Sequence, residues 1–122
     1  MTDAAEVKEY EGSCQCGAVR FSARTDLEGL IRCNCSRCRR MGFVLKAVPA
    51  DHFVLHAGQE ALTEFRFNTH HIEHLFCATC GVEAFARGSD RSGRALYMVN
   101  VNCLPEAEYD LAAVQLFDGR AA

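Results

Sequence analysis

Seven of the eight cysteines in this 122-residue chain fall into three tight groups: Cys14-Gln15-Cys16, Cys33-Asn34-Cys35-Ser36-Arg37-Cys38 and Cys77-Ala78-Thr79-Cys80. Thiolates set this close in sequence can converge on one cation, and sulfur donors so clustered are a common way to hold zinc. The two pairs Cys14/Cys16 and Cys77/Cys80 together supply four thiolates, the number that closes a tetrahedral structural site. The triplet Cys33, Cys35 and Cys38 supplies three and leaves one position for a ligand from outside. A closed site holds a fold together, whereas an open one can take part in chemistry.

Cys16 and Cys80 are each followed by glycine, which tolerates the positive backbone angles that turn a chain beneath a metal. The two pairs therefore read as facing knuckles. Joining them through zinc would tie residue 14 to residue 80, and structural zinc contributes on the order of 10 kcal/mol to folding. Three thiolates around Zn²⁺ leave a net charge of −1, a poor setting for polarising a carbonyl or generating hydroxide. It suits an incoming thiol better: coordination removes the proton from a group of pKa about 8.5 and keeps a nucleophilic thiolate at neutral pH. The chemistry this implies is thiol transfer.

Other readings stand beside these. An even cysteine count also suits a disulfide framework, although the two cysteines of a Cys-x-Cys pair are poorly placed to bridge each other. Cys103, His52, His70, His71 or His74 could close the triplet as a fourth ligand, Cys103 being the most serious candidate, although a lone cysteine at a strand end is more often a buried small apolar residue. His70 and His71 also read as a solvated pair on a hairpin, and His74 as a residue that orients a ligand or transfers a proton. Between residues 32 and 46 lie Arg32, Arg37, Arg39, Arg40 and Lys46 with no acidic residue. That field would favour thiolates and attract an anionic substrate, unless it is merely a solvated face.

The elements that must position these groups are mostly strands. Short apolar or alternating runs recur at Ala18–Ala23, Phe43–Val48, Phe53–His56, Leu62–Phe67, Ile72–Phe76, Glu83–Ala86 and Leu96–Val101, with a further strand and turn in the tail from Val114 to Gly119. Alternation in Glu64-Phe65-Arg66-Phe67-Asn68 predicts Phe65 and Phe67 facing a core. Turn signals fall between the runs, with Gly88–Gly93 the longest loop, and Pro49 and Pro105 mark strand exits. One helical turn is expected over Ser36–Gly42, carrying Cys38 back toward Cys33 and Cys35 and ending at Gly42 in a left-handed conformation.

The length suits a single domain over residues 1–122. The acidic start has no basic region before an apolar run, and no stretch approaches the roughly 20 residues of a membrane span, so a soluble, cytoplasmic protein is expected. The formal charge of −3 would become −6 with both zinc sites loaded, which together with sparse aromatics argues against nucleic acid as partner.

Four segments stand out, Gly12-Ser13-Cys14-Gln15-Cys16-Gly17-Ala18-Val19, Cys33-Asn34-Cys35-Ser36-Arg37-Cys38-Arg39-Arg40, Glu64-Phe65-Arg66-Phe67-Asn68-Thr69 and His74-Leu75-Phe76-Cys77-Ala78-Thr79-Cys80-Gly81. In combination and order they resemble the glutathione-dependent formaldehyde-activating (Gfa-like) enzymes of the Mss4-like fold. The closing Phe117-Asp118-Gly119-Arg120 extends the match, which covers about residues 9 to 120. The resemblance implies a zinc-stapled β-sheet domain with two zinc ions, a structural one on Cys14, Cys16, Cys77 and Cys80 and a catalytic one on Cys33, Cys35 and Cys38. It also implies a carbon-sulfur lyase acting in the synthetic direction, with glutathione and formaldehyde as substrates and S-hydroxymethylglutathione as product. On that reading Arg37, Arg39 and Arg40 hold the carboxylates of glutathione, and His74 or water protonates the oxyanion. The same scaffold acting on another thiol adduct, or serving as a non-enzymatic zinc module, remains the alternative.

Overall fold

The computed structural model describes residues 6–66 and 72–119. Strands dominate: β1 (Lys8–Ser13), β2 (Arg20–Thr25), β3 (Ile31–Cys33), β4 (Leu45–Pro49), β5 (Phe53–Ala57), β6 (Leu62–Phe65), β7 (Glu73–Cys77), β8 (Phe85–Ser89), β9 (Ala95–Asn100) and β10 (Gln115–Phe117). One α-helix, α1 (Ser36–Met41), and short 3₁₀ turns complete the described residues. The expectation of a mostly β protein with only short helical turns is met.

Two sheets form. β1-β2-β5 is antiparallel, and the larger sheet runs β10-β3-β4-β9-β8-β7-β6, with β10 joining β3 in parallel and every other pair antiparallel. Apolar side chains of both sheets meet in one core. Phe21 stacks on Phe53 with ring centroids 5.2 Å apart, Phe53 stacks on Tyr97 at 4.0 Å, and Phe85 presents its ring at an angle to each of these three. Aromatic pairs so arranged add about 0.5–1.5 kcal/mol beyond the area they bury. A second, smaller cluster of Cys38, Phe43 and Leu45 packs with Ile31, Cys33, Cys35 and Met98.

Eight of the ten strands overlap expected runs, including the strand in the tail, whereas β1 and β3 were not foreseen. In β1 only Tyr10 and Gly12 turn inward, so the segment carries almost no apolar alternation and its strand conformation comes from pairing with β2. β3 is three residues long, too short to leave a pattern. The expected loop at Gly88–Gly93 is instead strand through Ser89, followed by a tight turn in which the Asp90 N–H donates to Arg94 O at 2.9 Å. Phe65 is not buried in the core. It is 42 % exposed because β6 is the outermost strand of its sheet. Phe67, His70 and His71 lie outside the described residues.

Candidate functional site

The four-cysteine set is built by two knuckles. Cys14 follows β1 and Cys77 ends β7, and the chain turns immediately beyond each pair at Gly17 (φ 84°) and Gly81 (φ 83°), in the left-handed region where glycine is unstrained. The ligand atoms of Cys14, Cys16, Cys77 and Cys80 all lie within 4.8 Å of one another. A zinc–sulfur bond of about 2.3 Å places the corners of a sulfur tetrahedron roughly 3.8 Å apart. Cys14 and Cys16 Sγ are separated by 3.7 Å, and so are Cys16 and Cys77 Sγ. These two separations match the edge of a zinc–sulfur tetrahedron.

Main-chain N–H groups aim at these sulfurs, as Val19 N does at Cys14 Sγ (3.3 Å) and Thr79 N at Cys77 Sγ (3.4 Å). Such bonds orient ligands and favour thiolates. The Val82 N–H chiefly draws the pKa of Cys80 down to about 6. On Cys16 the Ala18 N–H acts the same way, but desolvation and the crowding of the other three sulfurs outweigh it and raise the value to about 11. Four thiols this close cannot all ionise alone; a divalent cation is what lets them.

The triplet is assembled locally. Cys33 ends β3, Cys35 caps α1 by accepting the Cys38 N–H on its sulfur at 3.3 Å, and Cys38 lies on the helix. Gly42 ends α1 at φ 70°, its N–H donating to Cys38 O, as expected. The three sulfurs again lie within 4.8 Å of one another, and among the described residues the group closes at three. Burial pushes the Cys33 and Cys38 thiols up. Burial also opposes ionisation of Cys35, yet the N–H groups of Cys38 and Arg37 directed at its sulfur hold that thiol below its ordinary value.

Of the candidates for a fourth ligand, Cys103, His52 and His74 lie among the described residues. Cys103 packs with the main core, which contains Cys14 and Cys77, and not with the cluster around the triplet. Burial raises its thiol to about 11, with the charges of Cys14 and Cys80 adding to the effect. Cys103 thus stands outside the triplet and neighbours the other set, in keeping with the apolar packing role expected of a lone cysteine at a strand end. His52 lies in the 3₁₀ turn Ala50–His52, outside both cysteine groups. His74 is buried, its Nδ1 2.9 Å from Glu83 Oε2.

Of the basic residues around the triplet, Arg37 is engaged most fully. Its Nε and Nη2 donate to Glu83 Oε1 at 3.2 and 2.8 Å, and its guanidinium lies 4.8 Å from the centroid of the Phe65 ring. Lys46 Nζ donates to Asp26 Oδ1 at 2.9 Å, and its proximity holds that carboxyl below the usual range even though burial opposes the shift. Arg40 donates to Ser36 O within its own helix, and both Arg39 and Arg40 are exposed.

Two features of the site were not read from the sequence. Glu83 sits in an apolar run, Val82-Glu83-Ala84-Phe85-Ala86, and a carboxylate there is a signal in itself, because a buried charge must find a partner. The tail also reaches the triplet: β10 pairs Phe117 with Cys33, the Asn34 N–H donates to Phe117 O at 3.2 Å, and Asn34 Nδ2 donates to Asp118 Oδ1 at 3.1 Å. Gly119 then passes so near that a Cβ there would stand 2.5 Å from Cys33 Sγ.

A mostly β protein that brings together one set of four cysteines and one set of three among the described residues belongs to the class of sheet domains able to hold metal on sulfur, and the donor chemistry of both sets suits zinc. The sequence places it further: residues 9–117 match the glutathione-dependent formaldehyde-activating enzyme family, and the chain belongs to that family. A Rhodobacter sphaeroides protein known from a crystal structure is similar, with 33 % identity and a TM-score of 0.77 over 88 % of this chain and 99 % of that one. Among the described residues no helix is long and apolar enough to cross a membrane.

Proposed function

We propose that the protein is a zinc-dependent carbon-sulfur lyase working in the synthetic direction, joining glutathione to formaldehyde as S-hydroxymethylglutathione in a reducing, cytoplasmic setting. The observation that carries this reading is the three-sulfur group without a fourth ligand among the described residues, in a chain of this family. Zinc held there would lower the pKa of an incoming thiol and keep it as thiolate.

In the reaction the thiol gives up its proton, a carbon-sulfur bond forms as the carbonyl π bond breaks, and the carbonyl oxygen takes up a proton, so the sum is an addition without by-product. Cys33, Cys35 and Cys38 are the catalytic ligands. Arg39 and Arg40, exposed residues that follow Cys38 on α1, hold the carboxylates of glutathione, while Arg37 adds positive field although Glu83 already engages it. The proton for the oxygen comes from water or from His74. Cys14, Cys16, Cys77 and Cys80 hold the structural zinc.

Calorimetric titration of glutathione into zinc-loaded protein tests this, run in two buffers of different ionisation enthalpy with S-methylglutathione as the control that has no thiol proton. Proton release with glutathione and none with the control supports thiolate capture at an open site. Absence of heat with both sites loaded removes glutathione as the substrate.

A further inference from the structure

Glu83 follows Cys80 by three residues and is 1 % exposed. Both carboxylate oxygens are committed. Oε1 accepts from Arg37 Nη2 at 2.8 Å and from Nε at 3.2 Å, Oε2 faces His74 Nδ1 at 2.9 Å, and the main-chain oxygen of Glu83 accepts from Asn100 Nδ2 at 3.1 Å. Since the carboxylate accepts, Nδ1 of His74 carries the proton. His74 and Glu83 flank the knuckle formed by Cys77 and Cys80, whereas Arg37 lies between Cys35 and Cys38 and its own N–H is directed at Cys35 Sγ. One buried carboxylate thus links the two cysteine sets.

The helix at the Arg37 end is only six residues long, and a helix that short has little stability of its own. Its placement comes from what holds it: the bond to Glu83, the Phe65 ring beneath the guanidinium, and the pairing of Phe65 with His74 across β6 and β7. A buried carboxylate stripped of water tolerates few arrangements of its partners, so this pairing selects one position for the turn that carries Cys35 and Cys38. We infer that Glu83 is a positioning residue for the triplet, presetting its sulfurs for metal by fixing Arg37, with the knuckle of the four-cysteine set as its anchor. The inference rests on the reading of the triplet as a zinc site.

Competition with a chromophoric zinc chelator tests it on the wild-type protein, Glu83→Gln, Arg37→Gln and the double variant, with Cys38→Ser marking which ion belongs to the triplet. The expected result is two ions in all but Cys38→Ser, an unchanged affinity for the tighter ion, and a loss of about ten- to hundredfold for the weaker one in each single variant. The double variant should be no worse than the poorer single, since both act through one link. A general structural role would instead lower both affinities together, and that result, like an unchanged weaker affinity, overturns the proposal while leaving the two-zinc reading intact. A wild-type protein that takes one ion only overturns both. Should Glu83→Gln fail to fold, Arg37→Gln carries the test, its side chain being 21 % exposed against 1 % for Glu83.

Discussion

The two cysteine sets use the same ligand chemistry to opposite ends. In the set of four, Cys16 and Cys77 meet across 61 residues of sequence, and Cys14 and Cys77 are part of the main core. In the triplet all ligands come from one strand end and one helical turn, beside a small separate cluster. A metal that closes a long loop removes a great deal of freedom from the unfolded chain, while one held within a single turn removes little. On the proposed function, position in the chain therefore separates a site that would maintain the fold from one that would leave a face open to substrate.

The sharpest way to break this comparison is to remove one ligand from each set. Cys77→Ser should cost most of the order of 10 kcal/mol that a structural zinc contributes, which matches or exceeds the total stability of about 5–15 kcal/mol expected of a domain. Circular dichroism should then show no cooperative melt. Cys38→Ser should retain a cooperative melt, lowered by about 1–3 kcal/mol because a hydroxyl replaces a buried thiol, yet turnover should fall to the uncatalysed background. If Cys77→Ser melts like the wild type, or Cys38→Ser unfolds, the division of roles fails.

Two glycines sharpen it further. At Gly12 a Cβ would stand 2.4 Å from Phe21 Cζ and 2.8 Å from Leu104 Cδ2, within the main core, whereas at Gly119 it would meet Cys33 Sγ at 2.5 Å. Gly12→Ala should lower stability by about 1–3 kcal/mol, the usual cost of overpacking, with the weaker zinc affinity unchanged. Gly119→Ala should do the reverse, weakening the second ion while the melting temperature barely moves. Equal effects of the two substitutions on both readouts would mean that the sites are not independent of their surroundings in the way the packing indicates.

What the sequence made legible follows the same division. The four-cysteine set, the triplet and the glycines behind the knuckles could be paired from spacing alone, because metal ligation is a matter of residue type and short-range reach. The helical turn from Ser36 to Gly42 was equally readable, since the Gly42 stop is local chemistry. β1 and β3 were not, because the first depends on β2 for its conformation and the second on strands distant in sequence, β4 and β10. Glu83 escaped for a related reason. Its partners lie 9 and 46 residues away, and only the folded sheet brings His74 and Arg37 to it. The partial exposure of Phe65 likewise reflects the position of β6 at a sheet edge, which alternation cannot reveal.

The smallest expected effect concerns Arg39 and Arg40, which follow Cys38 in the last turn of α1. Both side chains are exposed, so each contact with a substrate carboxylate sits at the weak end for ion pairs, about 0.2–1 kcal/mol, and is screened over about 8 Å at physiological ionic strength. Replacing either by glutamine should raise KM for glutathione about two- to fivefold and leave kcat alone, the pattern of an interaction equally strong in the bound and transition states. The gap between variant and wild type should narrow as salt is added. Arg37→Gln should depart from this pattern, because its charge is already engaged by Glu83 and its loss acts on the ligand turn, lowering metal affinity with little dependence on salt. Variants of Arg39 or Arg40 that lower kcat without touching KM would place these arginines in the chemistry itself, and the open face would then do more than capture the substrate.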